Sequence, residues 1–118
     1  MAKHNRMQVL TNMIETGLIP VFYNKNIETA EKIIKACLDG GIRSIEFTNR
    51  GDQAHIVFGE LIRRFEDDER CILGVGSVLD PGTASLYIQL GANFVVGPVL
   101  NPEVAKICNR RKIAYSPG

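Results

Sequence analysis

The sequence predicts an α/β fold built from repeating βα units, and three observations carry that reading. Short apolar, β-rich runs alternate with stretches of helical periodicity along the whole 118-residue chain. The strand starts fall roughly 20 to 30 residues apart, the rhythm of parallel strands joined by right-handed helical crossovers. Helix-start residues (Asn26, Asp80-Pro81, Asn101-Pro102) and helix-stop glycines (Gly17, Gly40-Gly41, Gly91) punctuate the boundaries.

Each element follows from its local pattern. His4 to Glu15 places Met7, Val9, Leu10, Met13 and Ile14 close to helical spacing, and Gly17 stops that helix. Leu18 to Tyr23 is a short apolar strand, with Pro20 tolerable only near its start or at a bulge. Asn26 caps an amphipathic helix over Ile27–Leu38, whose apolar positions are 27, 30, 33, 34, 37 and 38. Gly40-Gly41 ends it and releases a strand through Ile45 and Phe47. Asp52 is the expected cap of the next helix, which runs to about Phe65 with Ala54, Val57, Phe58, Leu61 and Ile62 as its buried stripe. Glu66 to Glu69 make an acidic turn. Cys71–Val78 is a third strand, and Asp80-Pro81 opens a helix that ends near Leu90-Gly91. Ala92–Pro98 forms a fourth strand with its loop. Asn101-Pro102 opens a helix through Asn109, and Arg111–Tyr115 is the fifth strand.

Composition narrows the function. A net charge of +1 gives no electrostatic footprint for nucleic acid. Cys37, Cys71 and Cys108 lie far apart with no C-x-x-C pair, which fits reduced thiols in a cytoplasmic protein rather than a disulfide framework or a metal site. No signal-like leader and no apolar run of about 18 residues is present, so neither secretion nor a membrane span is expected.

Two architectures share the βα rhythm, an open doubly wound sheet and a closed (β/α)8 barrel. A dinucleotide-binding sheet calls for Gly-x-Gly-x-x-Gly after its first strand, where this chain has Tyr23-Asn24-Lys25-Asn26. Gly74-x-Gly76 falls at a third strand and lacks the third glycine. A barrel instead draws its chemistry from the carboxyl ends of several strands. Glu46, Thr48 and Arg50, then Ser77, then Pro98 occupy such ends. The barrel is therefore preferred, as an incomplete one of about five strands behind an N-terminal helix, in one domain over residues 1–118.

Period-two alternation puts Ser44, Glu46, Thr48 and Arg50 on one face of the second strand and Ile45 and Phe47 on the other. An acidic residue inside a strand is either ion-paired on a wet face, here to Arg43 or Arg50, or used in a concave site. The pattern leaves both open. Arg50 offers a planar fork for a carboxylate or phosphate, against the plain reading of a solvated loop arginine. Ser77 follows glycines that let a ligand approach the backbone, against a simple turn serine. His4 and His55 read as helix-surface residues, and Lys25 as an exposed loop lysine near the strand ends.

Taken together these segments resemble the 2-keto-3-deoxy-6-phosphogluconate/4-hydroxy-2-oxoglutarate (KDPG/KHG) aldolases. The carriers are Ile19-Pro20-Val21, the run Gly40-Gly41-Ile42-Arg43-Ser44-Ile45-Glu46-Phe47-Thr48-Asn49-Arg50, and Gly74-Val75-Gly76-Ser77-Val78-Leu79. Gly91-Ala92-Asn93-Phe94-Val95, Gly97-Pro98 and Pro117-Gly118 extend it through the chain. The resemblance implies a class I aldolase on a (β/α)8 barrel, a homotrimer that needs no metal or cofactor. A lysine forms a Schiff base with the keto group, and the residue matching Glu46 is the general acid/base. Arg50 and Ser77 match the groups that hold the carboxylate of the pyruvate half, with Thr48 and Pro98 beside them. The matching lysine belongs to a sixth strand beyond Gly118, and none of Lys3, Lys25, Lys32, Lys35, Lys106 or Lys112 fills its position. A truncated or partial aldolase with little activity of its own is therefore expected, with exposed sheet edges that invite association. The competing readings are another phosphate-binding βα barrel, of the thiamine-phosphate synthase or epimerase kind, and a non-catalytic half-barrel that binds or assembles.

Overall fold

The computed structural model describes residues 1–118. Five helices and five strands alternate: α1 (Arg6–Thr16), β1 (Val21–Phe22), α2 (Ile27–Asp39), β2 (Ser44–Thr48), α3 (Ala54–Arg64), β3 (Ile72–Gly76), α4 (Pro81–Leu90), β4 (Phe94–Gly97), α5 (Pro102–Arg110) and β5 (Ala114–Pro117). Every strand pair is parallel and the strand order is β1-β2-β3-β4-β5. This order settles the architecture. A doubly wound sheet reverses direction at a switch point, whereas a barrel adds each strand beside the last. The chain forms an arc of a (β/α)8 barrel.

The two faces of the arc differ as the alternation requires. Ile45, Phe47, Leu73, Val75 and Val95 point outward into the main core, against Ala30, Ile34 and Leu38 of α2, Phe58 and Leu61 of α3, Tyr87 and Ile88 of α4, and Val104 and Cys108 of α5. The concave face carries Ser44, Glu46, Thr48, Gly74, Gly76 and Phe94. Its amino end is closed by α1: Val9 packs on Ile72, Phe94 and Ala114, and Asn12 accepts a 2.8 Å hydrogen bond from the Ser44 hydroxyl. A capping box fixes the start of α1, where the Asn5 side chain accepts from the Gln8 N–H and Gln8 accepts from the Asn5 N–H. The N-terminal helix thus plugs one end of the arc and leaves the carboxyl ends of the strands open.

Most expected caps hold. Asn26, Asp80 and Asn101 each accept from backbone N–H groups of α2, α4 and α5, and Gly17 ends α1 at φ 69°. Three expectations need correction. The cap position of α3 is Gln53, not Asp52. Gln53 sits at φ 60° with no side-chain cap, and its own backbone carbonyl takes the Ile56 N–H instead. The fifth strand begins at Ala114 rather than Arg111. Lys112 adopts φ 57° to close α5 and the Ile113 N–H still bonds the Cys108 carbonyl, so extension starts only afterwards. His4 is buried rather than on a helix surface. It precedes α1, its N–H donates to Asn93 Oδ1 at 2.9 Å, and its Nε2 lies 3.1 Å from the Cys71 carbonyl. Burial, opposed in part by that hydrogen bond, holds its pKa below the ordinary histidine value.

Candidate active site at the carboxyl ends of β2 and β3

Glu46 lies in the middle of β2, flanked in register by Val21 of β1 and Gly74 of β3. It is only 8% exposed. Its side chain leans along the strand onto Gly76, whose missing side chain makes the space: a Cβ there would overlap the carboxylate. Gly74, two residues earlier on the same face, is covered by the Phe94 ring. The two glycines that read weakly as a motif therefore have distinct jobs. One seats an aromatic wall and the other seats a carboxylate.

No protein group pairs with the Glu46 carboxylate. Burial alone pushes its pKa above the ordinary glutamate value, with no neighbouring cation or hydrogen-bond donor pulling it back. The wet-face ion pair that the sequence left open does not form: Arg43 donates instead to the Glu69 and Arg70 carbonyls, and none of the chain's eight ion pairs uses Glu46 or Arg50. Buried carboxylates without partners are uncommon and concentrate where proton transfer is done.

Arg50 departs from the expected alternation. β2 stops at Thr48, so Arg50 is an exposed loop residue two positions past the strand, carried there by the chain rather than by the pleat. Ser77 stands one residue past the end of β3, level with Asn49, in the left-handed region at φ 59°. Non-glycine residues held there cost of order 1–3 kcal/mol and gather at functional sites. The two positions are tied, since the Asn49 N–H donates to the Gly76 carbonyl at 2.9 Å. Thr48 is on the concave face and buried, with its hydroxyl donating to the Phe22 carbonyl at 3.2 Å. Pro98 is exposed just after β4. The sequence missed Asn49 and Tyr87. The Tyr87 phenol donates to Asn49 Oδ1 at 2.8 Å, but its place in the apolar stripe of α4 marks it only as core.

No lysine lies in a strand. Lys3 donates to the Phe65 and Asp68 carbonyls at 2.9 and 2.6 Å, Lys25 follows β1, Lys32 and Lys35 are on α2, Lys106 is on α5, and Lys112 is in the turn before β5. No group of three His, Cys, Asp or Glu side chains is placed to hold a metal ion. No helix is long and apolar enough to cross a membrane.

A family model described as KDPG and KHG aldolase matches residues 9–118. The KHG/KDPG aldolase of Escherichia coli K12 is 29% identical over 108 residues, which are 91% of this chain and 49% of that protein. The 2-dehydro-3-deoxy-phosphogluconate aldolase of Treponema pallidum is 33% identical over 102 residues, 86% of this chain and 47% of its own. The chain thus spans about half the length of the curated relatives it matches. Among solved structures, a Legionella pneumophila KDPG aldolase with pyruvate captured as a covalent carbinolamine superposes with TM-score 0.75 and 31% identity, over 85% of this chain and 47% of that one. A Zymomonas mobilis KDPG aldolase with 3-phosphoglycerate gives TM-score 0.73 and 26% identity, over 85% and 46%. With the family model covering nearly the whole arc, the chain belongs to the KDPG/KHG aldolase family.

Proposed function

We propose that this chain supplies the acid–base and carboxylate-binding part of a class I aldolase site, acting on 2-keto-3-deoxy-6-phosphogluconate or 4-hydroxy-2-oxoglutarate and releasing pyruvate plus an aldehyde. The observation that carries the proposal is the buried Glu46 carboxylate with no protein partner, set on the concave face below the open strand ends where Arg50 and Ser77 stand.

The chemistry assigns the parts. In such an aldolase an amine condenses with the keto carbon and expels water, and the iminium then accepts the electron pair of the breaking carbon–carbon bond. Both steps move protons. A carboxylate whose pKa has been lifted toward the working pH is the better shuttle for them. Glu46 takes that role. Arg50, with its planar fork, and Ser77, with its hydroxyl at the end of the adjacent strand, hold the keto-acid carboxylate. Thr48 and Pro98 border the same space. The nucleophilic amine is none of the six lysines in this reading, which is supported by their places in helices, turns and connections rather than on a strand.

The protein works as a homo-oligomer in the cytoplasm in this reading, supported by family membership. Pyruvate titration followed by amide NMR tests it. Two charge-assisted contacts of about 1.5–3 kcal/mol each support roughly millimolar binding. Shifts should centre on Thr48–Gly51 and Gly76–Val78 and vanish in Arg50→Ala. Shifts that ignore those segments would sink the proposal.

A further inference from the structure

We infer that Tyr87 and Asn49 form a positioning relay that holds Arg50 in place relative to Ser77, an inference that rests on the carboxylate-binding role proposed above. Arg50 sits in an exposed loop between β2 and α3, belongs to neither element, and makes no ion pair. Such a residue has no reason to keep one orientation unless its neighbours are pinned. They are. Asn49 accepts the Tyr87 phenol at 2.8 Å through its side chain and donates its own N–H to the Gly76 carbonyl at 2.9 Å. Gly76 immediately precedes Ser77. Asn49, the residue before Arg50, is therefore tied both to Tyr87 of α4 and to Gly76, the residue before Ser77. On the other side, the Tyr23 ring lies against Gly51 so closely that a Cβ there would overlap it, coming within 2.5 Å of Cζ. Both flanks of Arg50 are held by aromatic side chains.

Tyr87 is itself a fixed anchor. It is 1% exposed and meets Phe58 edge-on, with ring centroids 5.0 Å apart. Burial pushes its phenol up to about 12, so it remains a donor throughout the neutral range. A phenylalanine would fill the same core. What it would lack is the one hydroxyl that reaches the loop.

Tyr87→Phe and Arg50→Ala, compared with the unaltered protein, test the inference with two readouts. The first is backbone order by ¹⁵N relaxation at Asn49–Gly51. The second is the apparent Kd for pyruvate. Tyr87→Phe should loosen the loop and weaken pyruvate by roughly two- to tenfold, the worth of one hydrogen bond. Asn49→Leu should also loosen the loop, whereas Asn49→Asp, which keeps the oxygen acceptor, should leave it ordered; this pair decides the matter if Tyr87→Phe lowers stability. A loop as rigid in Tyr87→Phe and Asn49→Leu as in the unaltered protein overturns the relay. If Arg50→Ala leaves the pyruvate Kd unchanged, the carboxylate reading fails, and loop order alone still decides whether the relay exists.

Discussion

Gly74 and Gly76 stand two residues apart on the same face of β3, yet the same substitution at each should read out differently. A Cβ at Gly74 would come within 2.5 Å of three Phe94 ring atoms. Phe94 is 1% exposed and wedged among Val9, Ile72 and Ala114, so the ring has nowhere to go. Overpacking of this kind costs about 1–3 kcal/mol. The three atoms nearest a Cβ at Gly76 all belong to the flexible Glu46 side chain, Oε1 and Cδ foremost, which can swing off the sheet toward the concave side. That movement costs about 0.5–1.5 kcal/mol in rotamer energy. Removing a glycine from the unfolded chain returns about 0.4–1 kcal/mol at either site. Gly76→Ala should therefore change stability by less than about 1 kcal/mol. Its mark is chemical. Lifted off the strand, the carboxylate gains solvent and its pKa should fall back toward the ordinary glutamate value. Urea unfolding measures the first quantity and ¹³C NMR titration of the Glu46 carboxylate the second. An unchanged Glu46 titration in Gly76→Ala, or a larger stability loss there than in Gly74→Ala, would refute the reasoning.

Other outcomes follow from the same geometry. Because burial raises the folded-state pKa of Glu46, the folded chain holds that proton more tightly than the unfolded chain. Relative to Glu46→Gln, the stability of the unaltered protein should then fall as pH climbs through the unfolded value and level off above the folded one; parallel pH–stability curves would contradict this. Burial pushes Cys71 and Cys108 up to about 12 and about 11, so at mildly alkaline pH a thiol reagent should modify the half-buried Cys37 first. The other two should react only on unfolding, which intact mass and peptide mapping will report. Asp80→Ala removes both the 2.8 Å cap to the Thr83 N–H and the 2.7 Å bond from its hydroxyl, a loss of about 1 kcal/mol by chemical denaturation. Those bonds hold the Asp80 pKa below the ordinary value, so the loss should shrink as pH falls through it.

Much of this fold is written in local signals. Caps at Asn26, Asp80 and Asn101 and stops at Gly17 and Gly91 depend on one residue meeting the backbone beside it, so they can be read in isolation. The boundaries that slipped, at Gln53 and Lys112, are places where a non-glycine residue enters the left-handed region under tertiary constraint. No residue type announces that. The site divides the same way. Glu46 was legible because a carboxylate interrupts an apolar strand, but its freedom from ion pairs had to come from the structure, since Arg43 turns to backbone carbonyls instead. Asn49 and Tyr87 were invisible because their contact joins residues 38 positions apart. Gly76 read only as half of a weak Gly74-x-Gly76 motif in the third strand, and the carboxylate packed on it accounts for its size.

The central claim is that these residues provide proton transfer and carboxylate binding without the nucleophile, and borohydride trapping tests it most directly. The chain is incubated with pyruvate, reduced, and analysed by intact mass and peptide mapping. Reversible pyruvate binding that depends on Arg50 is expected, with no covalent adduct on any of the six lysines. A reduced pyruvate adduct on one of them would contradict it.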